Sequence, residues 1–311
     1  MRRRFVLCFA ALTALVSTPV VAEELDATPR TLVMTAYSPE WNALVHDVKD
    51  QHTYTLNGGT YLTGTLEGKP IILMQSGVSM VNAAMNTQLV LDHFAVKRIV
   101  FSGIAGGVDP ALTIGDVFVA DAWGEYLEVN FARTRPGGWT SPEAVDPKAP
   151  VNWNFMYPRG VTVGNADEAP ARHYTFAMDE SLLALARKVA PNVKMERCVP
   201  QSEHQLPGSE LCLHVPPKIV VGGTGVSAGV FADNAEFREY LFAAWHARVL
   251  DMESGAVAQV AYANKVPTII FRSLSDLAGG DKDKNMEDTF EHLASVNSAH
   301  VVRAFLAALP D

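Results

Sequence analysis

The chain has 311 residues, of which 48% are hydrophobic and 19% are charged, and its 25 basic and 34 acidic residues give a net charge of −9. Beyond the first four positions the sequence has no basic cluster, which argues against nucleic acid or an anionic membrane as a partner. This length can bury one large core, and the middle of the chain contains no evident domain linker, internal repeat or low-complexity tract.

The first 22 residues have the pattern of a cleavable secretory signal. Three arginines at 2–4 precede an apolar stretch at 5–16, and small residues lead up to Ala22. The alternative is an uncleaved membrane anchor, but the apolar stretch is short for a span of about 20 residues and Pro19 follows it. We therefore expect cleavage after Ala22, a net charge of −12 once the three arginines are lost, and a periplasmic or secreted location.

Two cysteines remain after the signal, which contains Cys8. Cys198 and Cys212 are 14 positions apart, and in an exported chain such a pair favours a disulfide, with two unpaired thiols as the alternative. His204 and His214 lie nearby but lack zinc-finger spacing, so no metal site is expected.

The amino-terminal half predicts five strands and one helix. The strands lie at 31–36, 61–66, 70–74, 98–102 and 117–120, and the second and third predict a hairpin. A helix is predicted to begin at a serine cap, and its apolar positions have helical spacing. The cap and these positions are Ser79, Val81, Ala84, Met85 and Leu89.

Residues 122–216 differ from the rest of the chain. Three tryptophans, many prolines and few periodic segments predict a loop-rich insertion with one helix at about 179–189. One interpretation is a surface excursion held by the cysteine pair. The other is a lid or subunit-contact region that shapes the far end of a ligand site. Both can hold together.

Regular patterns return in the carboxyl-terminal third. Strands are predicted at 218–222 and 266–272, and helices at about 233–244, 253–263 and 288–309. Because strands alternate with helices, the fold class is α/β with a largely parallel central sheet.

Two carboxylates stand at the ends of apolar segments in this third. Glu253 comes 23 residues before Asp276, about the length of a strand, a crossover helix and part of a second strand. Parallel strands would bring both acids to one sheet edge, where they are candidates for ligand contacts. The alternatives are a first-turn acid that complements the helix dipole for Glu253 and a cap for Asp276.

Two other segments follow strands in the same way. Glu40 is either a first-turn helix acid or part of a site at the end of the first strand. Gly103-Ile-Ala-Gly-Gly107 is either a tight turn or the border of a crevice. Three strand ends that converge on one crevice indicate a small-molecule enzyme.

Several common nucleotide and hydrolase motifs are absent. No Gly-x-Gly-x-x-Gly segment stands between a strand and a helix with a distal acid, and Gly222-Gly-Thr-Gly225 is only a near match. The sequence also lacks a Gly-Lys-Ser/Thr phosphate loop and a Gly-x-Ser-x-Gly nucleophile elbow.

The set Gly103-x-Ala-Gly-Gly107, Asp251-Met-Glu253 and Ser275-Asp276 resembles the nucleoside phosphorylase superfamily, and within it the methylthioadenosine/S-adenosylhomocysteine nucleosidases. The similarity covers roughly 31–121 and 217–309. It implies a three-layer α/β fold with a central mixed, largely parallel sheet flanked by helices. The segment after the signal would be a single domain that carries the insertion.

The resemblance assigns a role to each matching acid. Asp276, held by Ser275, would protonate the purine at N7 as the glycosidic bond breaks. Glu253, with the backbone of Met252, would bind the ribose hydroxyls. Glu40 would orient or deprotonate the attacking water.

The other expected site residues surround these acids. Arg272 would lie close to the attacking water, and the backbone at Val226 and Ser227 would read the purine edge. Ile104 and Gly106 would border the substrate.

Some positions depart from the family pattern. Ile104 replaces a serine or threonine, and Tyr37-Ser-Pro-Glu40 lacks the arginine of phosphate-using relatives, so both favour hydrolysis over phosphorolysis. Val226 stands where an aromatic ring usually stacks on the purine, and Asp251 replaces a glutamate on the ribose side.

The resemblance therefore implies an exported purine-nucleoside N-glycosidase, a hydrolase acting on adenosine-type nucleosides such as methylthioadenosine or S-adenosylhomocysteine. No metal or organic cofactor is required. The expected partners are a small nucleoside and further copies of the chain in a homodimer or higher homo-oligomer, not nucleic acid or, after signal removal, a membrane. The alternatives are a phosphate-dependent phosphorylase and a non-catalytic nucleoside-binding or storage protein, as plant vegetative storage proteins are similar too.

Overall fold

The computed structural model describes residues 23–200 and 210–310. The predicted signal sequence lies outside these residues, so its cleavage stays a prediction. Within the described ranges, no helix has both the length and the apolarity needed to cross a membrane.

Twenty strands and six α-helices make up the described part of the chain. The strands are β1 (Asp26–Thr35), β2 (Lys49–Leu56), β3 (Gly59–Leu66), β4 (Lys69–Gln75), β5 (Phe94–Gly107), β6 (Val117–Val119), β7 (Ala122–Glu125), β8 (Val129–Phe131), β9 (Arg133–Arg135), β10 (Gly138–Thr140), β11 (Met156–Pro158), β12 (Val161–Val163), β13 (Ala171–His173), β14 (Thr175–Ala177), β15 (Cys198–Pro200), β16 (Glu210–Cys212), β17 (Ile219–Val221), β18 (Thr224–Ser227), β19 (Ala247–Asp251) and β20 (Thr268–Asp276). The helices are α1 (Ser38–Val45), α2 (Met80–His93), α3 (Glu180–Val189), α4 (Ala235–Trp245), α5 (Ser254–Asn264) and α6 (Glu287–Ala308).

A mixed sheet of twelve strands forms the centre of the described structure. Its main path is β14-β7-β18-β19-β5-β1-β4-β3-β2, and β6, β17 and β20 pair off this path. Helices α1, α3 and α6 form one packed group against the sheet, and α2 packs with α5 in another. The predicted α/β class with a helix-flanked mixed sheet is confirmed, as is the hairpin of β3 and β4.

Strand β5 pairs with the three strands that lead to the predicted site acids, β1, β19 and β20. β1 and β20 pair with it in parallel. Parallel strands are usually covered on both faces, and residues 31–35 of β1 are all buried. All nine residues of β20 are buried, including Arg272 and Asp276.

The two carboxyl-terminal acids do not arrive on neighbouring parallel strands, so that expectation was wrong. β19 pairs with the end of β5 in antiparallel orientation, whereas β20 pairs with β5 in parallel. Leu250 and Asp276 are both in register with Gly106. The two strands therefore meet at the carboxyl end of β5 although they run in opposite directions along it.

Helix α2 begins where the sequence predicts but buries a different face. Val81 is 77% exposed and Met85 is 51% exposed, while Ala83, Thr87 and Val90 are buried. Thr87 faces the core because its hydroxyl donates to the carbonyl of Ala83 at 2.7 Å, which satisfies its polar group. The predicted helical period was correct, but two of the apolar positions that indicated it are exposed.

Part of the segment 122–216 belongs to the central sheet rather than to a surface excursion. β7 pairs with β14 and β18 in that sheet, and Trp123 on β7 is fully buried. The other strands of the segment form short antiparallel pairs beside it, namely β8 with β11, β9 with β10, β12 with β13 and β15 with β16.

Cys198 and Cys212 form a disulfide, the pairing that the sequence favours. The two residues are register partners across β15 and β16, and β15 packs against α6. The bridge thus holds a short hairpin against the helix that covers the core.

We expect the double variant Cys198→Ala, Cys212→Ala to lower the free energy of unfolding by about 3 kcal/mol, because the bridge restricts the unfolded chain. Urea unfolding under oxidising conditions measures this, and added reductant should bring the parent protein to the value of the variant. A loss below about 1 kcal/mol would contradict the expectation.

Candidate active site

A cavity opens at the carboxyl ends of β1, β5, β19 and β20. Its described lining combines carboxylates with apolar and aromatic groups. The lining residues are Ala36, Tyr37, Glu40, Val78, Ile104, Ala105, Gly106, Val230, Phe231, Ala232, Leu250, Asp251, Met252, Glu253, Ser275, Asp276 and Glu287.

Behind this cavity, Arg272 is fully buried and surrounded by carboxylates. Its Nε lies 2.7 Å from Asp251 Oδ2, its Nη2 lies 3.5 Å from Glu253 Oε2, and its Nη1 lies 3.8 Å from Glu40 Oε1. The guanidinium also stacks over the ring of Phe101, with 4.1 Å between Cζ and the ring centroid. One buried cation thus pairs with acids from two separate stretches of the chain, at residue 40 and at residues 251–253.

Gly103 makes room for this arginine. A Cβ at position 103 would lie 1.9 Å from Nη1 of Arg272 and 2.7 Å from Oε1 of Glu40, so any side chain would displace the pair. The glycine predicted as part of a turn or crevice border is therefore required by a close approach of side chains.

Asp251 is fully engaged inside the protein. One of its carboxylate oxygens accepts from the hydroxyl of Ser227 and from the backbone N–H of Ser254 at 3.1 Å, and the other accepts from the hydroxyl of Ser254 and from Arg272. Although Asp251 borders the cavity, its oxygens position the arginine and the start of α5. The structure thus places it as a support for the predicted substrate contacts.

Glu40 sits at the start of α1 with its carboxylate turned inward. Its Oε2 accepts the N–H of Ala36 at 2.5 Å and its Oε1 accepts the N–H of Ile104 at 2.8 Å. Burial raises the pKa of Glu40, and the nearby Arg272 partly offsets that rise. Glu40 is thus an acid in the first turn of α1, and it also borders the cavity.

Glu253 links β19 to the start of α2. Its Oε1 accepts the N–H of Ser79 at 2.8 Å. Ser79 has a φ of 83°, which is unusual for a non-glycine residue, and its side chain makes no capping hydrogen bond, contrary to the predicted cap. Burial raises the pKa of Glu253 to about 7, with Asp251 and Glu40 adding to the rise and Arg272 opposing it.

Asp276 ends β20 against Gly106 of β5. Its Oδ2 accepts the hydroxyl of Ser275 at 3.0 Å, and its Oδ1 accepts the N–H of Ala278 at 2.7 Å and the side-chain amide of Asn285 at 3.4 Å. Burial raises the pKa of Asp276, so this carboxyl holds a proton more readily than an exposed aspartate.

The structure thus brings together eight predicted site residues at the cavity and places Arg272 directly behind it. These eight are Glu40, Ile104, Gly106, Asp251, Met252, Glu253, Ser275 and Asp276. Among the described residues, no group of three or more His, Cys, Asp or Glu side chains is arranged to hold a metal ion.

The expected position of Val226 and Ser227 beside the substrate was wrong. Both are fully buried on β18, and the carbonyl of Ser227 accepts the N–H of Tyr126 while β18 pairs with its neighbouring strands. Their backbone N–H and C=O groups therefore take part in sheet pairing. Val230 and Phe231, which follow the strand, border the cavity instead.

Sequence reasoning also missed Tyr37, Ala232 and Glu287 in the lining. The signal for Phe231 was available, since an aromatic residue that follows a strand end is a candidate for ligand stacking. Glu287 had only the appearance of a first-turn acid at the start of α6.

Residues 30–307 match the family described as the phosphorylase superfamily. The chain belongs to this superfamily. It is 28% identical over 277 residues to the 5'-methylthioadenosine/S-adenosylhomocysteine nucleosidase of Tolumonas auensis, covering 89% of this chain and 98% of the relative. The nucleosidase of the same name from Halalkalibacterium halodurans is 31% identical over 250 residues, covering 80% of this chain and 85% of the relative.

Solved structures of the superfamily share the fold. A Streptococcus pneumoniae 5'-methylthioadenosine/S-adenosylhomocysteine nucleosidase with a transition-state inhibitor superposes with a TM-score of 0.63 at 21% identity, covering 90% of this chain and 99% of that one. Futalosine hydrolase of Helicobacter pylori gives a TM-score of 0.64 at 22% identity, covering 90% and 98%. The predicted family, fold and enzyme class, a hydrolytic nucleosidase, are confirmed by these relatives.

We expect Arg272→Met to cost about 3–5 kcal/mol of unfolding free energy, because it leaves buried carboxylates without their cation. The deficit should be larger at about pH 8 than at about pH 5. A carboxyl whose folded pKa is raised, as that of Glu253 is to about 7, stabilises the folded state below its unfolded pKa and loses this contribution as the pH rises. Removing the arginine raises that folded pKa further.

Urea unfolding at both pH values measures the effect. Arg303→Met is the matched control, because Arg303 is 37% exposed and pairs with Asp47 and Glu67 at the surface. Its loss should cost about 1 kcal/mol or less. Equal costs for the two variants would show that the buried cluster does not depend on Arg272.

Proposed function

We propose that the protein is an exported purine-nucleoside N-glycosidase that hydrolyses the bond between ribose and base in adenosine-type nucleosides such as methylthioadenosine or S-adenosylhomocysteine. The observation that carries this proposal is that Glu40, Glu253 and Asp276 border one cavity. The relatives named 5'-methylthioadenosine/S-adenosylhomocysteine nucleosidase support the substrate class.

Asp276 is the general acid in this mechanism. Its burial and raised pKa favour a protonated carboxyl, which donates its proton to N7 of the purine as the bond between C1' and N9 breaks. Protonation makes the neutral base the leaving group, and the bonding electron pair stays with it. Ser275 and the N–H of Ala278 hold the carboxyl in place.

The substrate is held at both ends of the bond that breaks. Glu253 accepts hydrogen bonds from the ribose hydroxyls, for which its raised pKa still allows the ionised form above about pH 7. Phe231 is 53% exposed at the cavity, and its ring provides a flat apolar surface for the purine.

Glu40 and Arg272 act on the attacking water. Arg272 Nη2 is buried and lacks a hydrogen-bond partner, so it can donate to a water oxygen between Glu253 and Glu40. The water oxygen bonds to C1' of the ribose, and Glu40 takes a proton from it. The positive charge that develops on the ribose is stabilised by the carboxylates around it.

The charge of the cavity favours water over phosphate as the nucleophile. Its described lining contains no lysine or arginine, and Arg272 is already shared by three carboxylates. Ile104 lines the cavity with an alkyl group, which cannot donate a hydrogen bond to phosphate. A phosphate dianion would therefore meet net negative charge.

We expect Asp276→Asn to lower kcat by about 10²- to 10⁴-fold while nucleoside binding persists, because the amide cannot deliver the proton. Base release from adenosine, inosine and methylthioadenosine is measured with and without added phosphate, and binding is measured by calorimetry. Asp47→Asn, a surface change of the same chemistry, is the control and should keep the parent rate.

Each alternative has its own outcome in this experiment. Strict dependence on phosphate would identify a phosphorylase. Binding without any product from the parent protein would identify a nucleoside-binding protein, and Asp276→Asn with an undiminished rate would remove Asp276 from the mechanism.

Export and assembly are also part of the proposal. The signal-like start of the chain and the disulfide support a periplasmic or secreted protein. Exposed apolar side chains on α2, Val81 and Met85, lie near Val78 at the cavity and support a homo-oligomer. We expect the chain in the periplasmic or secreted fraction, starting at residue 23, and more than one copy per particle by light scattering. A cytoplasmic protein with residues 1–22 attached, or a monomer, would contradict these points.

A further inference from the structure

One wall of the cavity carries acids that the proposed mechanism does not use. Glu287, at the first turn of α6, lines the cavity, and one turn later Glu291 accepts a hydrogen bond from the hydroxyl of Tyr37 at 3.0 Å. Like charges at positions i and i+4 of a helix repel each other. In the described ranges no lysine or arginine pairs with either glutamate, although Lys282 and Lys284 stand exposed in the preceding loop.

This wall belongs to α6, whereas the acid that is proposed to bind the ribose hydroxyls stands between β19 and α5. The charges that add to the effect of burial on Glu287 are Asp276, Glu291, Asp288 and Glu40, and burial with these charges raises its pKa to about 7. Tyr37 donates to Glu291 at 3.0 Å, and Asn285, two residues before Glu287, donates to Asp276 at 3.4 Å, so the start of α6 lies beside Tyr37 and Asp276. Glu253 instead accepts the N–H of Ser79 at 2.8 Å and lies 3.5 Å from Nη2 of Arg272. Glu287 and Glu253 therefore approach the cavity from different elements.

The geometry of a nucleoside decides which of its parts faces each acid. The 2' and 3' hydroxyls of ribose lie on one edge of the ring, and the 5' carbon lies on the other side, next to the ring oxygen. If Glu253 holds the hydroxyls and Asp276 faces the base, the 5'-substituent points toward Glu287. This step rests on the proposed function.

We propose that Glu287 selects substrates by the charge of the 5'-substituent, favouring a nucleoside that carries an ammonium group there and rejecting one that carries a phosphate. An ammonium group can pair with this carboxylate, which has no basic side-chain partner among residues 23–200 and 210–310. A phosphate meets the charge of Glu287, with Glu291 one turn further along α6, and Arg272 is already shared by three carboxylates and so does not compensate for the repulsion.

The test compares kcat/KM for 5'-amino-5'-deoxyadenosine, 5'-deoxyadenosine and adenosine 5'-phosphate, each at about pH 8, where Glu287 is mostly ionised. Glu287→Gln should lower the ratio of the amine to the neutral nucleoside about tenfold and raise the ratio of the phosphate to the neutral nucleoside by a similar factor. Glu291→Gln, a second variant one turn away, should shift both ratios in the same direction by less.

Asp288→Asn is the matched control, because Asp288 is the next residue on the same helix and is exposed. Its charge is screened by solvent, so both ratios should stay within about twofold of the parent values. Unchanged ratios in Glu287→Gln, or an equal shift in Asp288→Asn, would overturn the proposal.

Calorimetric binding of the same three compounds to the Asp276→Asn protein separates this proposal from the proposed hydrolysis. If the parent protein releases no base but Glu287→Gln in the Asp276→Asn protein still shifts the binding ratios, the hydrolase fails and the charge selection stands. If base is released and neither ratio responds, the hydrolase stands and the role of Glu287 fails.

Discussion

The structure of the site depends on one buried guanidinium. Arg272 is fully enclosed, and without carboxylate partners a cation in that position would be prohibitively costly to desolvate. Its partners come from the start of α1, the end of β19 and the residue before α5, so the ion cluster joins the two halves of the chain. The arrangement is possible only because residue 103 has no side chain. The cluster is thus both a structural joint and the floor of the cavity.

The same cluster divides the acids by environment. Both carboxylate oxygens of Asp251 are bonded to serine hydroxyls or to Arg272, so this residue holds its neighbours in position. Glu253 shares the arginine more loosely and has a pKa raised to about 7, while the pKa of Asp276 is raised by burial, with the charge of Asp281 adding to the rise. Carboxyls that are close in space can therefore perform different acid and base tasks at one pH.

Much of the site could be read from residues that follow strands. Glu40, Glu253 and Asp276 each follow an apolar run, and their convergence follows from the tendency of α/β sites to form at strand ends. The predictions were wrong where one local sequence pattern is compatible with two arrangements in the fold. Helix α2 has the predicted period but buries Thr87 instead of Val81 because a threonine hydroxyl can bond within its own helix. Val226 and Ser227 lie a few residues before Phe231, which borders the cavity.

The sequence by itself determined the α/β class, the position of five of the six α-helices and of seven of the twenty strands in the described part of the chain, and the three acids, because hydrophobic period and strand-end position are local properties of the chain. The tertiary structure alone decided that β19 and β20 approach β5 from opposite directions, that Asp251 supports rather than binds, and that Glu287 faces the cavity. These are contacts between segments far apart in the chain. These long-range contacts depend on sheet pairing and on the balance of buried charges, which cannot be read from any single stretch of sequence.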